Sequence, residues 1–175
     1  GKIYRIGGYQ GAPTASVDAY TVSTNTWAPP GTISSYPIPV SEIVAVAAGG
    51  YLWTAGGVNT TGSAKTYRYD PIGNTWNDGA ITDLPQTRSA AVAGLLNNRW
   101  VIAGGFVGNT DVDGTALALD LSQPTGAWVP LAAMPTPVYL ASGDSTGHAL
   151  YVVGGENFAP FYRANQQYTE CTFNR

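Results

Sequence analysis

Charged residues, histidine and cysteine are scarce in this chain of 175 residues. Lys, Arg, Asp and Glu together make up 11% of it, which is about half of their usual share in globular domains. The eight Lys and Arg residues are scattered, so the basic stripe that a nucleic-acid-binding protein requires is absent. The only cysteine, Cys171, excludes an internal disulfide.

Long apolar runs and helical periodicity are also missing. No apolar run approaches the roughly 18 residues of a transmembrane helix, so we expect no membrane span. No window keeps the apolar spacing of an amphipathic helix. The chain has instead 22 Gly and 12 Pro residues with 44% hydrophobic residues, a composition typical of many short strands joined by turns. We therefore predict an all-β fold.

One sequence pattern recurs along the chain. The stretch from Tyr51 to Trp76 holds an apolar run, a Gly-Gly pair, a polar loop, a second run that ends in Tyr-Asp-Pro, a tight turn and a tryptophan. The pair recurs at intervals of 49, 48 and 50 residues, as Gly7-Gly8, Gly56-Gly57, Gly104-Gly105 and Gly154-Gly155. A tryptophan follows three of these pairs, at Trp27, Trp76 and Trp128. The chain therefore contains a repeat of about 50 residues.

This repeat resembles that of the kelch-repeat β-propeller family, in which a Gly-Gly pair ends one strand of each blade and a tryptophan lies downstream. The resemblance covers nearly the whole chain. It implies a kelch-type β-propeller with about three and a half four-stranded blades, each of about 50 residues, within a larger ring of about six to eight blades. It divides this single partial domain into repeats at about residues 1–36, 37–84, 85–134 and 135–175.

The second repeat shows the four expected strands, named a to d, most clearly. We predict them at residues 42–48, 51–55, 65–69 and 75–78, with Gly49-Gly50 as the hairpin turn between strands a and b. The same pattern along the chain gives fourteen strands, in sets of three, four, four and three. The first set lacks strand a and the last lacks strand d. Because an open sheet edge promotes aggregation, we expect additional polypeptide to complete the propeller.

The recurring residues are interpreted as scaffold. The small Gly-Gly pair is expected to let neighbouring blades approach each other closely. Tyr69 and Trp76 are expected to pack between blades, with the hydroxyl and the indole N–H free to find hydrogen-bond partners. None of these residues is therefore a candidate for ligand binding.

The loops between strands b and c are expected to lie on the same face as the loops between strand d and the next strand a, because strand direction alternates. We call this the loop face, and in the family that the chain resembles it is the usual binding face. Its predicted loops are residues 9–15, 58–64, 106–114 and 156–166 (b–c) and 28–41, 77–88 and 129–137 (d–a). The candidate ligand-binding residues are Tyr9, Tyr36, Arg88, Phe106, Glu156, Phe158, Tyr162 and Arg163.

These residue types favour recognition over catalysis, because binding surfaces are rich in aromatic residues and arginine. We favour a non-catalytic module that binds a protein or a glycan through the loop face. In an alternative interpretation the aromatic residues close the loops over the blade edges, and the chain is a structural assembly module. Few Lys and Glu with much Ser, Thr, Asn and Gly favour a secreted bacterial protein, with an extracellular or cell-surface location.

An enzymatic function would need residues outside this segment. Kelch-like oxidases of the galactose-oxidase kind hold copper with two His and two Tyr residues, one of them crosslinked to Cys. This chain has a single histidine, His148, which is predicted beside an a–b turn on the opposite face. The second hypothesis is therefore a segment of a secreted kelch-like oxidase or carbohydrate-active enzyme whose catalytic residues lie elsewhere.

One short motif matches the start of a calcium loop. Asn109, Asp111 and Asp113 place oxygen-bearing side chains at alternate positions before a glycine. The carboxylate at the twelfth position, Asp120, matches Asp70 of the second repeat and is better explained as a c–d turn residue. The strand context also differs from the helices that flank such loops. We therefore predict a polar turn with no tightly bound calcium, and no cofactor.

Overall fold

Short apolar runs separated by glycine and asparagine turns form strands throughout the described part of the chain. The computed structural model describes residues 1–108, 111–158 and 165–169, and within these ranges it contains seventeen strands and no helix. The turn residues Asn97 and Asn98 adopt φ values of 45° and 64°, the left-handed geometry that a two-residue hairpin requires. Across the described ranges no helix is long and apolar enough to span a membrane.

In chain order the strands are β1 (Lys2–Ile6), β2 (Val17–Thr21), β3 (Thr26–Trp27), β4 (Val44–Ala48), β5 (Tyr51–Ala55), β6 (Thr66–Asp70), β7 (Thr75–Asn77), β8 (Arg88–Ser89), β9 (Val92–Leu96), β10 (Arg99–Ala103), β11 (Phe106–Val107), β12 (Asp111–Val112), β13 (Ala116–Asp120), β14 (Val129–Leu131), β15 (Ser142–Ser145), β16 (Ala149–Val153) and β17 (Asn165–Thr169). Blade 1 comprises β1, β2 and β3, and blade 2 comprises β4 to β7. Blade 3 comprises β9, β10, β13 and β14, and blade 4 comprises β15, β16 and β17.

The predicted fold class is confirmed. Every blade is an antiparallel sheet with its strands in chain order, and Ala48 pairs with Tyr51 across the Gly49-Gly50 turn. The structure adds a small sheet of β8, β11 and β12, in which β11 and β12 lie in a predicted b–c loop and β8 lies at the predicted start of strand a. Strand β17 begins at residue 165 rather than at the predicted 167, and residues 170–173 of the predicted strand lie outside the described ranges.

The Gly-Gly pairs lie where neighbouring blades touch through their backbones. The amide of Gly57 donates a hydrogen bond to the carbonyl oxygen of Arg88, at 2.7 Å. The same bond recurs at 2.8 Å from Gly8 to Val40 and from Gly105 to Val138. A Cβ atom on Gly56 would overlap the same carbonyl oxygen of Arg88. Glycine is thus required here because the next blade passes too close for any side chain.

Three apolar clusters fill the spaces between the blades; Trp128 belongs to one of them, and Trp76 packs against another. Tyr69 is 1% exposed, and its ring lies 5.8 Å from that of Tyr4 in blade 1. The half-buried Trp76 packs against the ring of Tyr69 and the cluster between blades 1 and 2, and its indole N–H donates to the carbonyl oxygen of Ser34 at 3.0 Å. The indole of Trp128 donates in the same way to Thr82, at 3.0 Å. These contacts confirm that Tyr69 and Trp76 pack between blades.

The d–a loops share a second repeat, which we call the loop motif. It consists of an aliphatic residue, two variable residues, a large apolar residue and proline. Its copies are Ile33-Ser34-Ser35-Tyr36-Pro37, Ile81-Thr82-Asp83-Leu84-Pro85 and Leu131-Ala132-Ala133-Met134-Pro135. The amide of the fourth residue donates to a carbonyl just before strand c in each copy: Tyr36 to Ala15, Leu84 to Ala64 and Met134 to Gly114. The three loops are therefore held in equivalent positions.

Candidate functional site

Three aromatic rings cluster on the loop face where blade 3 meets blade 4. The ring centroid of Phe106 lies 4.3 Å from that of Tyr139 and 5.9 Å from that of Phe158. Tyr139 and Phe158 lie 6.0 Å apart. We call this group the aromatic shelf. It joins residues from two repeats into one surface.

The backbone around the shelf is fixed by short strand pairings. Phe106 is the first residue of β11 and follows a Gly-Gly pair directly, and it pairs with Ser89 on one side and Val112 on the other. Tyr139 and Glu156 exchange two backbone hydrogen bonds, at 3.0 and 2.9 Å. The ring of Phe106 can therefore reach across the junction from blade 3 to Tyr139 in blade 4.

A carboxylate borders the shelf. The hydroxyl of Tyr139 donates a hydrogen bond to Oε2 of Glu156, at 2.9 Å. This bond raises the pKa of Tyr139, because ionisation would place a second negative charge beside the carboxylate. The site thus combines an apolar surface with one anionic edge. The contact with the ring of Phe106 and the hydrogen bond to Glu156 together fix the orientation of the Tyr139 ring.

Phe158 is the most exposed member of the shelf. Its side chain is 67% exposed and its backbone has a φ of 51°. The left-handed region is unfavourable for a bulky residue, and such strain tends to occur at functional sites. An exposed aromatic ring held in a strained backbone is a candidate anchor for a ligand.

Tyr9 and Tyr36 lie in different environments, although both were predicted on the loop face. Tyr9 is 69% exposed on blade 1, apart from the shelf. Tyr36 is 2% exposed, and its hydroxyl lies 3.1 Å from that of Thr54. Burial strongly raises the pKa of Tyr36. The prediction of Tyr36 as an exposed ligand-binding residue is wrong, because it occupies the core position of the loop motif.

Arg88 is also unavailable to a ligand. Its guanidinium is buried and donates hydrogen bonds to the carbonyl oxygens of Gly104 and Thr115 and, at 2.8 Å, to Oγ1 of Thr115. Burial lowers the pKa of Arg88, and the nearby charge of Asp113 opposes this effect. The prediction of a ligand-binding role for Arg88 is wrong, because its donors hold together the ends of two strands within blade 3.

The remaining sequence candidates divide into two groups. Tyr162, Arg163 and Asn109 lie outside the described residues. Asp111 is exposed, whereas Asp113 accepts a hydrogen bond from the amide of Thr115 at 2.8 Å. Within residues 1–108, 111–158 and 165–169, no group of three His, Cys, Asp or Glu residues is placed to hold a metal ion. The absence of tightly bound calcium stays a prediction.

Tyr139 is the shelf residue that the sequence-based prediction missed. The predicted d–a loop ended at residue 137, two positions before it. Its position in the repeat offered a signal, because Ser41 and Ser89 occupy the equivalent sites and each pairs with the residue that follows a Gly-Gly pair. A large aromatic residue at this position therefore lies next to the b–c loop.

Comparisons with known proteins agree with this architecture. A family model described as the Kelch motif matches residues 39–81. Alpha-scruin of Limulus polyphemus is 28% identical over 167 residues, which cover 89% of this chain and 18% of scruin. Beta-scruin of the same organism is 25% identical over 170 residues, with the same coverage of 89% and 18%.

The solved structure of YjhT matches with a TM-score of 0.72 and 18% identity, and the match covers 89% of this chain and 56% of that chain. At this identity the match shows the fold alone. The chain spans 18% of the length of the scruins. Because the motif match, the recurring Gly-Gly pairs and the antiparallel blades agree, the chain has a kelch-type β-propeller fold and is similar to kelch-repeat proteins.

Proposed function

We propose that the chain is a non-catalytic kelch-repeat module of an extracellular or cell-surface protein, and that it recognises a protein partner through the loop face. The observation that carries this proposal is the aromatic shelf of Phe106, Tyr139 and Phe158, bordered by the carboxylate of Glu156. Kelch domains generally mediate protein interactions. Large aromatic anchors next to polar groups are the usual energetic centres of protein interfaces.

The geometry of the rings favours a protein over a glycan. A sugar ring stacks best on one flat, open aromatic face. The three rings of the shelf are tilted against one another by 45°, 62° and 42°, so they form an uneven apolar surface. Such a surface fits the apolar side chains of a partner, while Glu156 offers an acceptor for a donor at the rim.

Replacing Phe158 with alanine is expected to weaken binding of a partner about tenfold, because the most exposed ring of the shelf is lost. A displayed peptide library and a glycan array, both probed with the wild-type chain, would supply the ligands. Their affinities for the wild type and the variant would then be measured by titration calorimetry.

Ile72→Ala is the matched control for this experiment. Ile72 is 97% exposed in the c–d turn of blade 2, on the face opposite the shelf. Its replacement should leave every affinity unchanged. Peptides that bind the Phe158 variant as tightly as the wild type would contradict the proposed anchor. If the Phe158 variant loses affinity for glycans but for no peptide, the shelf binds a glycan rather than a protein.

We also propose that additional polypeptide covers the outer faces of blades 1 and 4. In blade 1 the neighbouring residues Ile3, Tyr20 and Trp27 form one row, with Ile3 58% and Trp27 56% exposed. The equivalent row of blade 2, which contains Tyr69, is covered by blade 1. In blade 4, Tyr151 and Val153 are 41% and 50% exposed. Apolar rows of this kind are typical of surfaces that another chain segment covers.

The chain alone is therefore expected to associate with rising concentration and to bind the dye ANS. Light scattering and dye fluorescence would measure both effects. An Ile3→Ser, Trp27→Ser double variant should bind less dye and associate less than the wild type, because its outer face on blade 1 is more polar. A wild-type chain that remains monomeric at high concentration and binds no dye would contradict this part of the proposal.

A further inference from the structure

Acidic side chains border the aromatic shelf in both blades. In blade 4 the carboxylate of Glu156 lies next to the rings, and in blade 3 the exposed Asp111 precedes the residue that pairs with Phe106. Asp113 belongs to the same loop as Asp111, but its charge interacts with that of the buried Arg88. These two charges offset each other. Asp111 and Glu156 therefore give the surroundings of the shelf a negative charge.

Two further cations lie toward the loop ends of their strands, and both are paired with carboxylates of their own blades. Nζ of Lys65 lies 2.7 Å from Oδ2 of Asp83. Nε of Arg5 donates a hydrogen bond to Oδ2 of Asp18, also at 2.7 Å. These are the two ion pairs in the part of the chain that the structure describes, and neither includes a group of the shelf. Charge complementarity therefore favours a cationic ligand at the shelf.

The spacing of the rings indicates which kind of cation fits. Phe106 and Tyr139 lie 4.3 Å apart between centroids, which is a contact distance for two aromatic rings. A methylated ammonium group cannot enter between rings that already touch. A flat cation can instead stack on the outside of the shelf, where Phe158 is 67% exposed. Because Phe158 lies 5.9 and 6.0 Å from the other two rings, such a cation is close to more than one ring.

Glu156 supplies an acceptor beside this stacking surface. Its backbone exchanges hydrogen bonds of 3.0 and 2.9 Å with Tyr139, so the carboxylate is held next to the rings. The hydroxyl of Tyr139 uses one acceptor position of Oε2, and a carboxylate offers about four such positions. A guanidinium group is planar, stacks on aromatic rings and donates two parallel hydrogen bonds to a carboxylate. Arginine can therefore contact the rings and the carboxylate at once.

The carboxylate is not part of the repeated scaffold. Glu156 directly follows a Gly-Gly pair, where the other three repeats carry the uncharged residues Tyr9, Val58 and Phe106. The blades that contain those residues form without a carboxylate at this position. The role of Glu156 is therefore better sought in ligand binding than in folding.

We propose that the aromatic shelf binds an arginine side chain of the partner protein. The methylene groups of the arginine lie on the rings, and its guanidinium stacks on Phe158 and donates hydrogen bonds to Glu156. Asp111 attracts other basic residues of the same partner segment. This inference rests on the proposed recognition of a protein through the shelf, and it names the side chain that the shelf recognises.

The test uses peptides that the wild-type chain selects from a displayed random library. Those whose affinity falls about tenfold in the Phe158→Ala variant are expected to share an arginine. Replacing that arginine with citrulline keeps its shape and removes its charge, and should weaken binding at least about tenfold, as measured by titration calorimetry. Lysine keeps the charge but not the planar fork, and should weaken binding about fivefold.

Glu156→Gln is expected to weaken binding of the arginine peptide about tenfold and to leave the citrulline peptide nearly unchanged, because the charge interaction requires both partners. The amide oxygen of glutamine still accepts the hydroxyl of Tyr139, so the shelf keeps its shape. The matched control is Glu42→Gln. Glu42 is exposed and follows Ser41, the blade 2 equivalent of Tyr139, so its replacement should leave the ratio of the two affinities unchanged.

The inference is overturned if the peptides that depend on Phe158 lack arginine, or if the arginine and citrulline peptides bind equally. It is also overturned if Glu156→Gln weakens both peptides equally, or if Glu42→Gln changes their ratio as much as Glu156→Gln does. A trimethyl-lysine peptide that binds more tightly than the arginine peptide would contradict guanidinium stacking. All these results leave the proposed function standing, whereas a library without any peptide that depends on Phe158 would defeat the proposed function itself.

Discussion

Replacing Gly56 with alanine is expected to lower the free energy of unfolding by about 4 kcal/mol. The added Cβ atom would cause both a strained backbone conformation and a steric overlap with the next blade. Gly56 has a φ of +71°, which L-residues rarely adopt. Its added Cβ would overlap the carbonyl oxygen of Arg88, and that oxygen accepts the amide of Gly57 at 2.7 Å. The backbone of blade 3 cannot move away without breaking this link to blade 2.

Gly31→Ala separates the two penalties. Gly31 has a φ of +77°, but no atom lies within 4 Å of an ideal Cβ at this position. Its replacement should cost only the left-handed conformation, about 1 kcal/mol. Equilibrium urea unfolding, followed by circular dichroism, would measure both variants. A Gly56 variant within about 1 kcal/mol of the Gly31 variant would show that the close approach of the blades does not matter for stability.

The recurrence of these glycines is also why the fold could be predicted from the sequence. Each Gly-Gly pair marks the end of a strand b. The apolar run that forms this strand lies directly before the pair in sequence, so both can be recognised together. The predicted strand b of the second repeat, residues 51–55, therefore matches β5 at both ends. The small sheet of β8, β11 and β12 was not predictable in this way, because it pairs β8 with short segments of a b–c loop that lies apart from it in sequence.

Burial in the loops could not be predicted from residue type. Tyr36 and Phe158 are both aromatic residues of predicted loops, yet they are 2% and 67% exposed. The difference arises from neighbours that are distant in sequence: Tyr36 contacts Tyr67 and Trp76 of the next blade, at 5.1 and 4.9 Å between ring centroids. The loop motif does indicate that Tyr36 is buried, because leucine and methionine occupy the same position in the other two copies.

The candidate site was predicted in part for the same physical reason. Phe106, Glu156 and Phe158 were expected on the loop face, and the structure brings all three to one junction. The residue that connects them, Tyr139, comes from the start of strand a rather than from a loop. A shelf assembled from two repeats depends on how blades pack side by side, which a periodic pattern within each repeat does not specify.

Trp76→Ala is expected to lower the free energy of unfolding by about 3 kcal/mol, near the lower end of the range for deleted aromatic side chains because the ring is half-buried. The change removes contacts with the rings of Tyr36 and Tyr69, at 4.9 and 4.8 Å between centroids. It also leaves the carbonyl oxygen of Ser34 without its indole donor.

Two further variants identify which contact dominates. Trp76→Phe keeps most of the apolar area and loses the indole N–H, so it should cost about 1 kcal/mol. Trp27→Ala is the matched control, since Trp27 has the same place in blade 1 but is 56% exposed, and it should cost less than about 1 kcal/mol. Urea titrations of the four proteins would measure these differences. Equal losses at Trp27 and Trp76 would mean that the tryptophans stabilise their own blades rather than the junctions between them.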